Sequence, residues 1–285
     1  MGPAIVEQLV NAGFEVTVLS RSESSKSKLP SSVTVKQINY DDPSTFVTAL
    51  HGQHAVVSNV GSAVLKDQPK IIDAAIEAGV SWFIPSEFGV DTTDPKTAQL
   101  PVFAGKVATQ KHLKQNEDKI SYALIATGPF LDWGLQNGFL VNVKQDGTAE
   151  LYDGGDVRIP ATTLADIGRA VAGVLKKPDH FKNKVVHVAS VFTTQNELLK
   201  IAQKQRPDWT PKTTVVKTDD LYNNGLEVLK SGNGNIGAAM VGFIKKGIFD
   251  PAYGGAKRFE KLDNDALGVP NRSHKELEEI VAQYV

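Results

Sequence analysis

Gly2-Pro3-Ala4-Ile5-Val6-Glu7-Gln8-Leu9-Val10-Asn11-Ala12-Gly13-Phe14-Glu15-Val16-Thr17-Val18-Leu19-Ser20-Arg21 is the stretch that decides the fold. Pro3 sits where a helix starts, because the N–H it lacks would have no intrahelical partner there. Ile5 with Leu9 and Val6 with Val10 are i,i+4 pairs that put an apolar stripe on one helical face. Asn11-Ala12-Gly13 ends the helix with a glycine suited to a left-handed cap. Phe14 to Ser20 then reads as a short β-branched strand, and Arg21 follows it. A Rossmann unit runs strand, glycine loop, helix, strand, with a charged reader of the adenosine ribose after the second strand. Everything after the glycine loop is present in residues 1–21, and the preceding strand is expected upstream of Met1.

Downstream, the same alternation continues. Val33–Ile38, Ala55–Gly61, Ser81–Pro85 and Ser121–Thr127 are apolar runs bounded by Gly, Pro or polar residues. Helical patterns lie between them: one capped by Asp42 or Ser44, one over Gln68–Ala78, one over roughly Val102–Gln115. Strands this apolar have no wet face, so a parallel sheet covered by helices on both sides is expected. In the usual strand order the upstream strand lies between the strands at 15–20 and 55–60. Each apolar side chain such a strand buries is worth about 1.5–3 kcal/mol. The chain is therefore expected either to pair the two flanking strands directly or to be marginally folded.

The second half alternates less regularly. Thr148–Tyr152 and Val157–Pro160 flank Asp153-Gly154-Gly155-Asp156, which reads as a hairpin turn rather than a cation loop. Thr163–Leu175 and Thr194–Gln205 are helical, and Lys184–Val188 is a strand. A loop containing Pro and Trp follows, and the remainder reads as mostly helical. The expected architecture is α/β: a single domain over 1–285 built on a Rossmann-like, doubly wound parallel sheet. Residues 1–130 form the dinucleotide-binding part. Residues 131–285 form mainly a smaller α/β substrate region, with segments near 160–190 returning to the Rossmann part.

Composition narrows the function classes. The chain has 285 residues, 31 basic and 32 acidic, for a net charge of −1. That balance gives no electrostatic reason to expect nucleic acid or an anionic membrane as partner. The absence of cysteine excludes disulfides, thiolate catalysis and Cys-ligated metals. His51 and His54 flank a glycine with no acidic partner at ligand spacing, so no metal site is expected. No run approaches the roughly 18 apolar residues a membrane span needs, and a cytoplasmic location is the default expectation.

Two constellations carry chemistry. Arg21 stands where a doubly wound fold meets the adenosine ribose, and an Arg there can hold a 2′-phosphate. Ser20, Ser22, Lys26 and Lys28 add donors and charge, and the competing reading is a solvated basic loop. The second constellation is Trp82-Phe83-Ile84-Pro85-Ser86-Glu87-Phe88-Gly89, followed by Lys106. Ser86 and Glu87 fall just beyond the carboxyl end of a parallel strand, where open sheets bind ligands. Lys106, at the start of the next helix, can hydrogen-bond ribose hydroxyls or move a proton at a substrate oxygen if burial lowers its pKa. Otherwise it is one of many surface lysines. Asp132 and Trp133 are substrate-pocket candidates, against the alternative of a helix start with a buried aromatic.

Phe83–Gly89 with the following Lys106, Gly128-Pro129-Phe130, Asp166-Ile167-Gly168 and Phe259–Asn264 with Leu267-Gly268 together resemble the isoflavone-reductase-like branch of the NmrA-like family, and fungal members most closely. These are atypical short-chain dehydrogenases that use NADPH and lack the usual Tyr-x-x-x-Lys pair. Val102, four residues before Lys106, agrees with that lack. The resemblance implies that Lys106 is the catalytic lysine and Arg21 the 2′-phosphate ligand. It further implies that Gly61, Ser86, Phe88 and Phe130 line the cofactor NADP(H). Of the family's three loop glycines Gly2 matches only the last, so weakened dinucleotide binding is expected.

Gly232-Asn233-Gly234-Asn235-Ile236-Gly237 also matches the letter of a dinucleotide fingerprint. It follows a helix end rather than a strand, and it reads as a connection between helices. The resulting expectation is an NADPH-dependent reductase of a small, aromatic or unsaturated substrate, as a monomer or homodimer. The competing class is a non-catalytic, dinucleotide-sensing regulator, or a truncated relic with impaired cofactor binding.

Overall fold

The computed structural model describes residues 1–22, 29–144, 147–253 and 255–285. Helix α1 (Gly2–Asn11) buries Ile5, Val6 and Leu9, and Gly13 beyond it has φ +87°. Then come β1 (Thr17–Ser20), β2 (Thr34–Gln37), α2 (Pro43–Leu50), β3 (Ala55–Val57), α3 (Gln68–Glu77), β4 (Trp82–Ile84), α4 (Ala104–Gln115) and β5 (Ser121–Ala126). The second half contains α5 (Leu131–Gln136), β6 (Thr148–Tyr152), β7 (Ile159–Ala161), α6 (Leu164–Lys176), α7 (Pro178–Phe181), β8 (Lys184–His187), β9 (Val191–Thr193) and α8 (Gln195–Gln205). It closes with β10 (Lys212–Val216), α9 (Thr218–Ser231), α10 (Ile236–Phe249), α11 (Asn264–Leu267) and α12 (His274–Val281). Lys26 and Lys28 lie outside the described residues.

The central sheet is parallel throughout, in the order β3-β4-β5-β8. Its side chains alternate as a two-residue period requires. Phe83, Tyr122 and Leu124 join the core beneath α2, α3 and α4, while Ile84, Ala123 and Ile125 join the core beneath α1 and α6. Helices thus cover both faces. Strands β1 and β2 form a separate parallel pair, with Thr17 opposite Thr34. No backbone hydrogen bond joins β1 to β3, and both strands stay half-buried. Direct pairing of these two strands is therefore not how this chain is built.

Helix α6 and strand β8 come from the second half yet belong to this body. Gly168 of α6 lies against α1 so closely that a methyl group there would meet the Ala4 carbonyl oxygen at 2.6 Å. Thr163 caps α6 by accepting from the Asp166 amide. The Asp166 carboxylate is fully buried and takes Arg272 at 2.9 and 3.1 Å, Arg169 at 2.5 Å and Ser190 at 2.5 Å. The C-terminal segment is tied to α6 by these bonds.

The smaller region has its own core, around Leu131, Leu135, Leu151, Leu198 and Phe249. There β6 pairs in parallel with β10, and β7 pairs antiparallel with β9. The hairpin expected at 153–156 does not form, because β6 and β7 take partners in different sheets. The turn itself exists, with Asp153, Gly154 and Gly155 at φ +47°, +94° and +82°. Asp153 uses its carboxylate on the Thr218 amide and hydroxyl at the start of α9. Gly232 closes α9 with φ +67°, and Asn235 caps α10, so the glycine-rich 232–237 stretch is a helix–helix connection. Among the described residues no helix is long and apolar enough to cross a membrane.

Candidate active site at the carboxyl ends of β4 and β5

The segment after β4 turns back beneath α4. Gln68, fully buried on α3, accepts the Ser86 amide at 2.9 Å and approaches Thr109 of α4 at 3.4 Å. The Ser86 hydroxyl donates to the Val60 carbonyl at 3.0 Å, locking this segment to the loop that ends in Gly61. The Glu87 carboxylate accepts from the Thr92 hydroxyl at 2.6 Å and from Gln110 at 3.0 Å. Gly89 offers its carbonyl to the amides of Thr127 and Gly128, both at 2.9 Å. The ends of β4 and β5 are thereby joined.

Lys106 reaches into this frame from the first turn of α4. Gly105 allows it: a methyl group there would meet Leu65 and the Lys66 amide at 3.2–3.3 Å, so the helix lies directly on the 62–67 turn. Only 9% of Lys106 is exposed. Its Nζ donates to the Glu87 carbonyl and lies 5.6 Å from the Phe103 ring centroid. Burial lowers the pKa of the amine, and the nearby Glu87 charge opposes that only in part. An amine in this state can give up and recover a proton nearer neutrality than an exposed lysine can.

The other predicted residues fall around the same edge. At Gly2 a methyl group would come within 2.9 Å of Asn59 Nδ2, so the start of α1 lies against the loop after β3. In that loop the Ser58 hydroxyl is buried without a hydrogen-bond partner among the described residues. Arg21 is exposed at the end of β1. Its carbonyl accepts from Gln37, and among the described residues no ion pair engages its guanidinium. The Phe88 side chain is buried in the core with Ile84 and Ile125. Phe130 is partly buried at the start of α5.

Asp132 and Trp133 part company. The Asp132 carboxylate accepts the Leu164 amide at 3.0 Å and its neighbour's amide at 2.8 Å, at the N-terminus of α6. Trp133 is 43% exposed, edge-on to Phe130 at 6.5 Å and tilted against Phe139 at 5.6 Å. Sequence reasoning missed Gln68, Thr92 and Gln110, which hold Ser86 and Glu87. It also missed Asp91 and His187, 3.0 Å apart at the edge of the site. An Asp two residues beyond Gly89 was the one available signal.

A Rossmann-like, doubly wound parallel sheet with a buried lysine at its carboxyl edge defines an α/β protein of the Rossmann-like class. The chain belongs to the NmrA-like family, whose profile matches residues 1–224. It is 33% identical over 276 residues to the oxidoreductase aprR of Aspergillus flavus, covering 94% of this chain and 89% of that one. It is 28% identical over 204 residues to the isoflavone reductase of Pisum sativum, covering 69% and 63%. Among solved structures, triphenylmethane reductase of a Citrobacter species complexed with NADP(H) superposes with a TM-score of 0.72. That structure is 17% identical, with 100% of this chain and 96% of that one covered. The resemblance to isoflavone-reductase-like and fungal members is borne out.

Proposed function

We propose that this protein is an NADPH-dependent reductase of the isoflavone-reductase-like type, acting on a small aromatic or unsaturated substrate. The observation that carries this is Lys106, a buried amine of lowered pKa held at the carboxyl ends of β4 and β5. NADPH, when bound, supplies the hydride. Arg21 would take the 2′-phosphate, with its charge exposed at the end of β1. Gly2 and the start of α1 would face the pyrophosphate, where helix amides lack intrahelical partners. Ser58, whose hydroxyl is buried and unpartnered, is a further donor at the same edge. Gly61, Ser86 and Phe130 would line the nicotinamide end, and Phe88 would support that wall from the core.

Lys106 would hydrogen-bond the ribose hydroxyls or pass a proton to or from a substrate oxygen. Exposed Trp133, with partly buried Phe130 and Phe139 beside it, supports an aromatic substrate, because flat apolar rings stack edge-on or offset against such faces. Asp132 is a capping residue in this scheme, and its carboxylate is already spent on the Leu164 amide. Fluorescence titration with NADPH is the first test, and absence of binding at millimolar cofactor would sink the proposal. If NADPH binds, a reductase screen with Lys106→Ala follows. Loss of at least about a hundredfold in kcat is expected for removing a positioned proton-transfer group. Binding without any turnover would assign the protein to the regulator class instead.

A further inference from the structure

The segment that holds Lys106 is gripped from behind by a pair of groups the reaction itself does not call on. Asp91, nearly fully buried, accepts from the His187 ring Nε2 at 3.0 Å. Its other oxygen accepts from the Thr93 amide at 2.9 Å and the Thr93 hydroxyl at 2.5 Å. Burial works against a charged Asp91, but the bonds from His187 and Thr93 outweigh it and hold the carboxyl below its ordinary pKa. Since an ionised carboxylate only accepts, the proton between the pair resides on His187 Nε2.

His187 is itself a fixed point. It ends β8, in register with Ala126 of β5. Its amide donates to the Asp263 carboxylate at 2.9 Å, and its carbonyl accepts the Asp263 amide at 2.8 Å. Its ring sits edge-on to Phe259 at 5.0 Å. Two residues before Asp91, Gly89 is tied to the Thr127 and Gly128 amides just beyond β5. Two residues before that, the Glu87 carbonyl faces Lys106 Nζ. Residues 87–91 are thus a short span pinned at Gly89 by backbone and at Asp91 by a charge-assisted side-chain bond, the stronger kind.

We propose that His187 is a positioning residue: through Asp91 it fixes the 87–91 span so that the Glu87 carbonyl stays on the Lys106 amine and water stays off it. This rests on the reading of Lys106 as the working amine, but its consequence is a property of the resting protein and needs no turnover to be seen.

The test is native-state acetylation of the full chain with acetic anhydride in mildly alkaline buffer, with each lysine read by peptide mass spectrometry. His187→Leu should acetylate Lys106 at least about tenfold faster than the unmodified chain, in line with losing a hydrogen bond to a charged group. His187→Gln, whose amide can donate from nearly the place of Nε2, should stay within about twofold. Asp91→Asn keeps the Thr93 contact, removes the charge, and should fall between. Lys246, buried on α10 and paired with Asp219 and Asp250, is the internal control and should not change. Wild-type labelling of Lys106 in both His187→Leu and Asp91→Asn would overturn the proposal. So would His187→Gln labelling as fast as His187→Leu, or an equal rise at Lys246, which would report general loosening. If these rates behave as stated in a chain that binds no NADPH, the reductase reading fails and the positioning role stands; the reverse pattern separates them equally well.

Discussion

Lys106 shows what one buried amine costs and permits. Its pKa is lowered in the folded chain by burial. In the unfolded chain it returns to the ordinary lysine value of about 10.4. Between those two values the unfolded state binds more protons, so stability rises with pH across that window. Lys106→Met removes this dependence. The melting temperature of the wild-type chain, measured against Lys106→Met, should therefore improve as pH rises from neutral towards about 10. A gap that does not change with pH would show that the amine titrates alike in both states. At this scale the sequence was only partly legible. Lys106 was placed by its position after Gly89 and by resemblance, while nothing in its spacing showed that Gly105 would seat α4 on the 62–67 turn and bury the amine. Asp132 looked like a pocket carboxylate because its partner, the Leu164 amide, lies far along the chain.

Helix α6 was legible as an element and illegible as a joint. Its start was readable from Thr163, and Asp166-Ile167-Gly168 was readable as a family string. The reasons for that string are contacts. Gly168 leaves room for the Ala4 carbonyl of α1, and Asp166 gathers Arg272, Arg169 and Ser190. Gly168→Val should lower stability by about 1–3 kcal/mol through overpacking. Asp166→Ala should cost about 3–5 kcal/mol, because Arg272 is left partly buried without its counter-charge. Chemical denaturation of the two variants measures both. The Asp166 carboxyl is held below its ordinary pKa, since its hydrogen bonds from Arg272 and Ser190 outweigh the opposing effect of burial. Its contribution is therefore present above the unfolded value of about 3.9 and is lost as pH falls through the folded one. Strands β9 and β10 escaped the sequence reading for a different reason. β9 is only three residues long, too short for its alternation to stand out, and β10 is largely exposed, so it carries no buried face to read.

At the scale of the whole molecule, the sheet is two bodies rather than one. Strands β1–β2 pair only with each other, and they share no ladder with β3-β4-β5-β8. What holds β1–β2 to the rest is helix packing: α1 against α6, where Gly168 allows close approach, and α2 against α3 through Phe46, Leu50, Ile71 and Ile72. Strand β5 is hydrogen-bonded on both edges and almost wholly buried, whereas β1 is bonded on one edge and half-exposed. Backbone amides exchange with solvent through the least costly opening that frees them. Opening β1–β2 breaks one short ladder and leaves the central sheet intact, whereas exposing β5 requires the central body to come apart. Hydrogen–deuterium exchange should therefore find the β1 and β2 amides at least about tenfold less protected than those of β5 and β8, a difference of roughly 1.4 kcal/mol in opening. Equal protection in the two sets would mean that helix packing alone makes the molecule a single cooperative unit. Because Arg21 stands at the end of β1, the same experiment repeated with NADPH has a directional outcome. A dinucleotide held by Arg21 on one body and by Ser86 and Lys106 on the other would raise protection in β1–β2 more than in β5, since only the looser body has opening to lose.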